Sequence, residues 1–247
     1  MTKFCWFEYT STEAQKAQGF FGELFGWSVR DVPMGGGTTY QMIAAGDTTI
    51  GGYLTPPESA PKHAHWLSHI KVADAKASAA KAQQLGGKIL MDAYKRGESG
   101  TMAVIADVAG APLALWQPAG KEGPAPSSAV GRFCWNELYA PDPAKAAAFY
   151  AGLAGWTSEA KEMPGMGQYT VLSAGSEQIA GLLKPPMPGA PHQWLPYVSV
   201  AKCDTSAEKA KRLGGKLFVE PTSVPGVGRF AIIGDPQGAG IGILQAE

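Results

Sequence analysis

The sequence predicts an α+β fold built twice over, and two observations carry that expectation. The stretch Phe4-Cys5-Trp6-Phe7-Glu8 returns downstream as Phe133-Cys134-Trp135-Asn136-Glu137. Around it, strand and helix signals recur in a fixed order: one strand, one helix and three strands, twice in each copy.

The repeat extends well beyond that stretch. Phe4 maps to Phe133, Trp27 to Trp156, Tyr40 to Tyr169, Gly52 to Gly181 and Pro56-Pro57 to Pro185-Pro186, all at an offset of 129 (133 minus 4). One residue is then lost, and Trp66 maps to Trp194, Gly86-Gly87-Lys88 to Gly214-Gly215-Lys216 and Asp107 to Asp235 at an offset of 128 (194 minus 66). The domain boundaries implied are 1–118 for the first copy and 131–247 for the second. A linker covers 119–130, rich in small residues and proline.

Each copy opens on a strand. Alternation turns Trp6 and Glu8 to one face and Cys5 and Phe7 to the other. A helix follows. Thr12 with Gln15 suggests a capping box, Asp142 followed by Pro143 suggests an N-cap and first helical residue, and Gly26 and Gly155 end the two helices. β-rich runs come next, Gly37 to Ala44 and Thr49 to Leu54 in the first copy, Gln168 to Leu172 and Gln178 to Leu183 in the second. The proline pairs close this half. A new strand, Trp66 to Val72 or Trp194 to Val200, leads into a helix ending at Gly86 or Gly214, and three strands complete the copy. The last two are joined by the reverse turns Asp107-Val108-Ala109-Gly110 and Asp235-Pro236-Gln237-Gly238.

Composition narrows the partners. In 247 residues, 45% are hydrophobic, enough for a substantial core. With 21 basic and 21 acidic residues there is no long-range field to draw nucleic acid or an anionic membrane, so neither is expected as a partner. The three cysteines form no even disulfide framework, and the chain start shows no secretory leader, which points to the cytoplasm. Gly35-Gly36-Gly37 and Gly165-Met166-Gly167 are expected as turns, because neither follows a strand and opens a helix as phosphate cradles do.

The four βαβββ units, the Phe149, Tyr150, Gly155 and Trp156 ending of the second copy's first helix, and the Asp-Pro-Gln-Gly turn together resemble the vicinal oxygen chelate superfamily. That superfamily includes glyoxalase I, bleomycin and fosfomycin resistance proteins and extradiol dioxygenases, and the resemblance covers nearly the whole chain, nearest to its two-copy, glyoxalase-like members. It implies a tandem pair of glyoxalase-like domains whose four units form two half-open barrels, with divalent metal and substrate on the concave face. Units pair either within a copy or between copies in such proteins, so Glu8 faces either His69 or Tyr197. Four units suffice for a monomer, while exposed strand edges would also support a homodimer.

Family metal ligands lie on the first and last strands of each unit. At those positions this chain has Trp6 and Trp135, Leu67 and Leu195 (or Trp66 and Trp194 with a one-residue shift), and Ala114 and Gly242. None supplies the nitrogen, oxygen or sulfur that zinc and similar ions need. No metal site and no cofactor are therefore expected; a divalent metal held by Glu8, His69 and Glu137 is the alternative. His63 and His65 lack counterparts, since copy two has Pro191 and Gln193, and are expected as surface loop residues.

What remains is an aromatic cavity with few polar groups. Trp6 and Trp135 take the positions where ligands point inward, and Trp66, Trp194, Trp116, His69 and Tyr197 are expected to line the binding site with them. Glu8 and Glu137 are the candidate catalytic residues: burial among aromatics would raise a carboxylate's pKa toward that of a general base, although such a group also serves as a structural acceptor. The partner expected is a small, partly aromatic or apolar organic molecule. If the protein is an enzyme, the resemblance implies lyase, isomerase or dioxygenase chemistry.

Overall fold

In a computed structural model, residues 1–35, 38–56, 62–120, 126–163, 167–186 and 189–247 are described. Pro57, residues 36–37 and 165–166 of the glycine loops, and linker residues 121–125 lie outside that set. The first copy contains β1 (Phe4–Thr10), α1 (Ala14–Phe25), β2 (Ser28–Gly35), β3 (Thr38–Ala45), β4 (Thr48–Leu54), β5 (His65–Lys71), α2 (Ala75–Gln84), β6 (Lys88–Arg96), β7 (Gly100–Ala106) and β8 (Pro112–Pro118). The second contains β9 (Phe133–Tyr139), α3 (Pro143–Ala154), β10 (Thr157–Met163), β11 (Gly167–Ala174), β12 (Glu177–Leu183), β13 (Trp194–Ser199), α4 (Cys203–Arg212), β14 (Lys216–Val224), β15 (Gly228–Gly234) and β16 (Gly240–Ala246). The fold is α+β, four βαβββ modules in two eight-stranded sheets, one sheet per copy.

In every module the three consecutive strands form an antiparallel meander, and the opening strand pairs parallel with the last of them, as β1 does with β4 and β9 with β12. A parallel pair needs a crossover, which the helix provides. β2 and β10 are the strands that hydrophobic runs did not mark. They carry charged and polar residues such as Arg30, Asp31, Glu159 and Lys161, and are mostly exposed at a sheet edge.

Local signals set most helix ends. Asp142 accepts from the Lys145 amide at 3.0 Å with Pro143 at the first turn, and Gly26 and Gly155 end α1 and α3 in the left-handed conformation at φ 73° and 71°. The Thr12–Gln15 capping box does not form. The helix begins after Glu13, with no side-chain cap. Its entry is held instead by Ser11 Oγ, which accepts from the Glu13 amide at 2.9 Å, and by Gln237, whose Nε2 donates to the Glu13 carbonyl at 3.2 Å. Ser11 thus accepts an amide at the helix entry, and Gln237 braces the carbonyl beside it.

The chain divides into two compact units. One comprises Met1–Cys5, Leu67–Ala125 and Trp135–Leu195; the other comprises Trp6–Trp66, Pro126–Cys134 and Pro196–Glu247. Each therefore joins a module of one copy to a module of the other. In the first unit α2 packs against α3, and Phe4 enters the ring cluster of Trp156 and Trp194. In the second, α1 packs against α4, and Phe133 meets Trp27 and Trp66 and stacks on Phe7 at 3.9 Å. The opening phenylalanine of each copy thus completes the aromatic core of the other.

The reverse turns are polar anchors for these cores. Asp107 Oδ1 accepts from the Ala109 and Ala111 amides at 2.8 and 3.0 Å, and Asp235 Oδ1 accepts from those of Gln237 and Ala239 at 3.0 and 2.9 Å. Each second oxygen receives a buried tyrosine hydroxyl. Tyr150 donates to Asp107 Oδ2 at 2.9 Å, and Tyr9 donates to Asp235 Oδ2. Tyr150 comes from a helix and Tyr9 from a strand: the repeat counterpart of Tyr9 is Leu138, and that of Tyr150 is Phe21. Burial lifts the Asp107 carboxyl above its ordinary range despite these bonds.

Replacing Tyr9 by Leu should destabilise the protein by about 1–3 kcal/mol, since it leaves the Asp235 oxygen without its donor. Adding Phe21→Tyr should recover part of the loss by supplying the hydroxyl from α1, as α3 does in the other unit. Urea unfolding of the two variants measures both effects.

Candidate functional site

The opening strands place the site. Phe7 and Tyr9 pack on the α1 side, where Tyr9 meets Phe21 edge-on at 5.7 Å, so Trp6 and Glu8 occupy the opposite face of β1. On that face Trp6 Nε1 donates to the Tyr40 hydroxyl at 3.0 Å, and Tyr40 donates to Glu8 Oε1 at 2.7 Å. The second copy repeats the chain of bonds: Trp135 Nε1 to Tyr169 at 2.9 Å, and Tyr169 to Glu137 Oε1 at 2.9 Å. An indole N–H can only donate, so the hydroxyl must accept from tryptophan and pass its own hydrogen to glutamate.

A glycine makes each relay possible. Tyr40 lies on β3 and Glu8 on β1, with β4 between them. Gly52 of β4 is paired with Glu8 on one side and with Met42 on the other. A β-carbon at Gly52 would sit inside the Tyr40 phenol, and one at Gly181 inside that of Tyr169. The bare backbone lets the ring cross its neighbour strand. Glu8 is fully buried, Tyr169 is 8% exposed, and both indoles are half-buried. Burial and the Glu137 charge hold the Tyr169 phenol well above its ordinary pKa, which keeps it a donor.

The other expected residues scatter. His69 is buried on β5 opposite Ala114, and its carbonyl accepts from the Cys5 thiol at 3.6 Å. Tyr197 is buried on β13 opposite Gly242, where its ring occupies the space of the missing side chain, 6.4 Å from Phe230. Trp116 is half-buried against Leu67, Met102, Val104 and Ala114. Trp66 and Trp194 are buried, 6% and 2% exposed. Trp66 packs among Tyr9, Phe21, Trp27 and Phe133, and Trp194 among Phe4, Tyr150 and Trp156. Their strand register turns them to the helix side, where large aromatics fill the space between layers. Tyr40, Tyr169, Gly52 and Gly181 were not expected in the site, although all four are among the residues that the repeat preserves.

The positions where the resemblance implies metal ligands are occupied by apolar or N–H-donating groups. Leu67 and Ala114 belong to one buried apolar cluster, the Tyr197 ring covers Gly242, and both Trp6 and Trp135 present an N–H donor already engaged. Among the described residues no group of three His, Cys, Asp or Glu side chains is arranged to hold a metal. His65 Nδ1 faces the His63 carbonyl at 3.0 Å, and burial holds the His65 imidazole below its ordinary pKa.

An open groove of about 720 Å³ lies on the other side of the second copy's first module, lined by Pro141, Ala147, Ala151, Ser158, Thr170 and Lys184 among others. Thr170 and Gln168 flank Tyr169 on β11, so they face away from the relay. In the first copy Gln18 and Gln41, the counterparts of Ala147 and Thr170, bridge α1 to β3 at 2.7 Å.

A family model described as the Glyoxalase/Bleomycin resistance protein/Dioxygenase superfamily matches residues 132–243. CFP32 of Mycobacterium tuberculosis, which carries a glyoxylase name, is 36% identical over 243 residues, 97% of this chain and 93% of its own. The anthracycline biosynthesis protein DnrV of Streptomyces peucetius is 28% identical over 265 residues, 99% of this chain and 95% of its own. Among solved structures, the 2,3-dioxygenase LapB of Pseudomonas sp. KL28 superposes with a TM-score of 0.64 at 15% identity, covering 99% of this chain and 92% of that one. The Mn(II)-bound glyoxalase of Novosphingobium aromaticivorans gives 0.66 at 12% identity, covering 98% and 81%. At such identities the solved structures speak to the fold.

Gly52→Ala and Gly181→Ala should each destabilise the protein by about 1–3 kcal/mol through overpacking. The Gly52 penalty should shrink in a Tyr40→Ala background, giving a coupling energy in a double-mutant cycle followed by urea unfolding. Thiol labelling offers a pH test. Burial pushes the Cys134 thiol up to about 12 and that of Cys203 to about 11. At pH 8, below both values, each should be mostly protonated and react with iodoacetamide far more slowly than in the unfolded chain, the rate rising with pH toward those values.

Proposed function

Because the chain belongs to the glyoxalase/bleomycin resistance protein/dioxygenase superfamily, we propose that it binds a small, partly aromatic or apolar organic molecule against Trp6 and Trp135, without the metal positions its relatives use. The observation that carries this reading is the relay itself. Where a metal ligand would stand there is an indole with its N–H committed to a tyrosine, so what it offers a guest is ring surface. DnrV is named for the biosynthesis of anthracyclines, flat polycyclic molecules of the kind such a surface suits.

Proton transfer is the weaker part of the reading. Glu8 and Glu137 each already accept a tyrosine hydrogen, so a substrate proton would have to displace or pass through that hydroxyl. Glu8 and Glu137 thus serve first as acceptors that fix the tyrosines. His69, Tyr197 and Trp116 complete the proposed lining. Domains at 1–118 and 131–247, joined by 119–130, would act in the cytoplasm as a monomer or homodimer; no helix among the described residues is long and apolar enough to cross a membrane.

The second reading is a divalent-metal lyase, isomerase or dioxygenase, favoured by the likeness of fold to a Mn(II)-bound glyoxalase. Elemental analysis after dialysis separates the two. The binding reading expects far less than one equivalent of zinc, nickel, manganese or iron, together with a tryptophan fluorescence response to some member of a panel of aromatic metabolites. A stoichiometric metal that is lost on Glu8→Gln or Glu137→Gln would overturn it.

A further inference from the structure

The two copies have drifted apart in their buried side chains. Tyr9 and Leu138, Phe21 and Tyr150, Phe7 and Asn136, Ser68 and Pro196, and His69 and Tyr197 are counterparts that differ in chemistry. Polar pairs have moved with them: Ser68 donates to Asn136 at 3.0 Å in one unit, while Phe7 stacks on Phe133 in the other. Against this background Trp, Tyr, Glu and Gly of the relay are the same in both copies, joined by the same two hydrogen bonds in the same direction.

Elsewhere the same chain supplies a buried polar contact from different positions, as with the Tyr9 and Tyr150 hydroxyls. What the relay determines beyond stability is the orientation of a half-buried indole. Its N–H is tied to a phenol, the phenol is tied to a glutamate on the indole's own strand, and glycine holds the phenol close to the sheet. A ring fixed before binding loses little freedom on binding. Its face is electron-rich, so it attracts cations and neutral rings and disfavours anions.

We propose that Tyr40 and Tyr169 are positioning residues that hold Trp6 and Trp135 as fixed ring faces for a flat, neutral or cationic aromatic molecule. This rests on the binding reading above and adds to it a charge class and two residues.

The test uses the full chain and two probes of equal ring size, N-methylquinolinium and 2-naphthoate. Calorimetry measures affinity, and a proton–nitrogen correlation spectrum follows the indole N–H signals of the 7 tryptophans. N-methylquinolinium should bind about tenfold or more tighter than 2-naphthoate and should shift the Trp6 and Trp135 signals, assigned by Trp→Phe substitution. Tyr40→Phe with Tyr169→Phe should move those two signals without ligand and weaken N-methylquinolinium binding about tenfold at a temperature where the variant is folded. A purely structural pair would lower Tm and leave the affinity of the folded protein unchanged; that result, or equal binding of the two probes, overturns the inference while the binding reading stands. If the variant does not fold, the wild-type titration decides, and shifts confined to the other indoles overturn it. Failure of both probes and of the metabolite panel would remove the binding reading and this inference together.

Discussion

A buried carboxylate must be given hydrogens, and much of this molecule is arranged around that constraint. Asp107 and Asp235 sit in tight turns whose own amides satisfy one oxygen each; the other oxygen takes a hydroxyl from the opposite copy. Around those hydroxyls gather the large aromatics, with Tyr150 also accepting from Trp194 Nε1 at 2.8 Å and Tyr9 from Gln237 Nε2 at 3.1 Å. The polar contact gives direction to an aromatic core that hydrophobicity alone would leave loosely specified. Gln237 then extends the same network to the start of α1, which has no side-chain cap of its own.

The relay faces obey the same constraint with a different outcome. Glu8 and Glu137 are also buried and also receive tyrosine hydrogens, but here the tyrosine is loaded from behind by an indole that remains partly open. Each hydroxyl takes one indole N–H and gives one hydrogen to a carboxylate, and both indoles stay half-buried. A side chain that donates stands where the resemblance implies a metal ligand. The apolar cluster at Leu67 and Ala114 and the ring over Gly242 extend that change of character to the second modules.

Much of this was legible in the residues. The duplication, the module order, the glycine ends of α1 and α3 and the Asp-centred turns follow from local chemistry that a reader can see. β2 and β10 escaped because they carry charges at a sheet edge and lack the apolar alternation that marks half-buried strands. At the start of α1 Ser11, and not Thr12, accepts an amide, and Gln237, over two hundred positions away, bonds the Glu13 carbonyl. The packing of Trp66 and Trp194 among the aromatics of their units depends on the register of β5 and β13, which the sequence leaves open by one residue. The tyrosines of the relay were visible as repeated residues, yet their role depends on crossing a glycine on a strand between, a contact that no spacing in the chain reveals.

The exchange of Phe4 and Phe133 between the two aromatic cores has a consequence for how the molecule responds to dilution. Were the copies separate chains, those contacts would be made between molecules and would weaken as protein concentration fell. Joined in one polypeptide, each phenylalanine is presented to its cluster at an effective concentration set by the connecting chain. The packing of both cores through Phe4 and Phe133 is therefore independent of protein concentration.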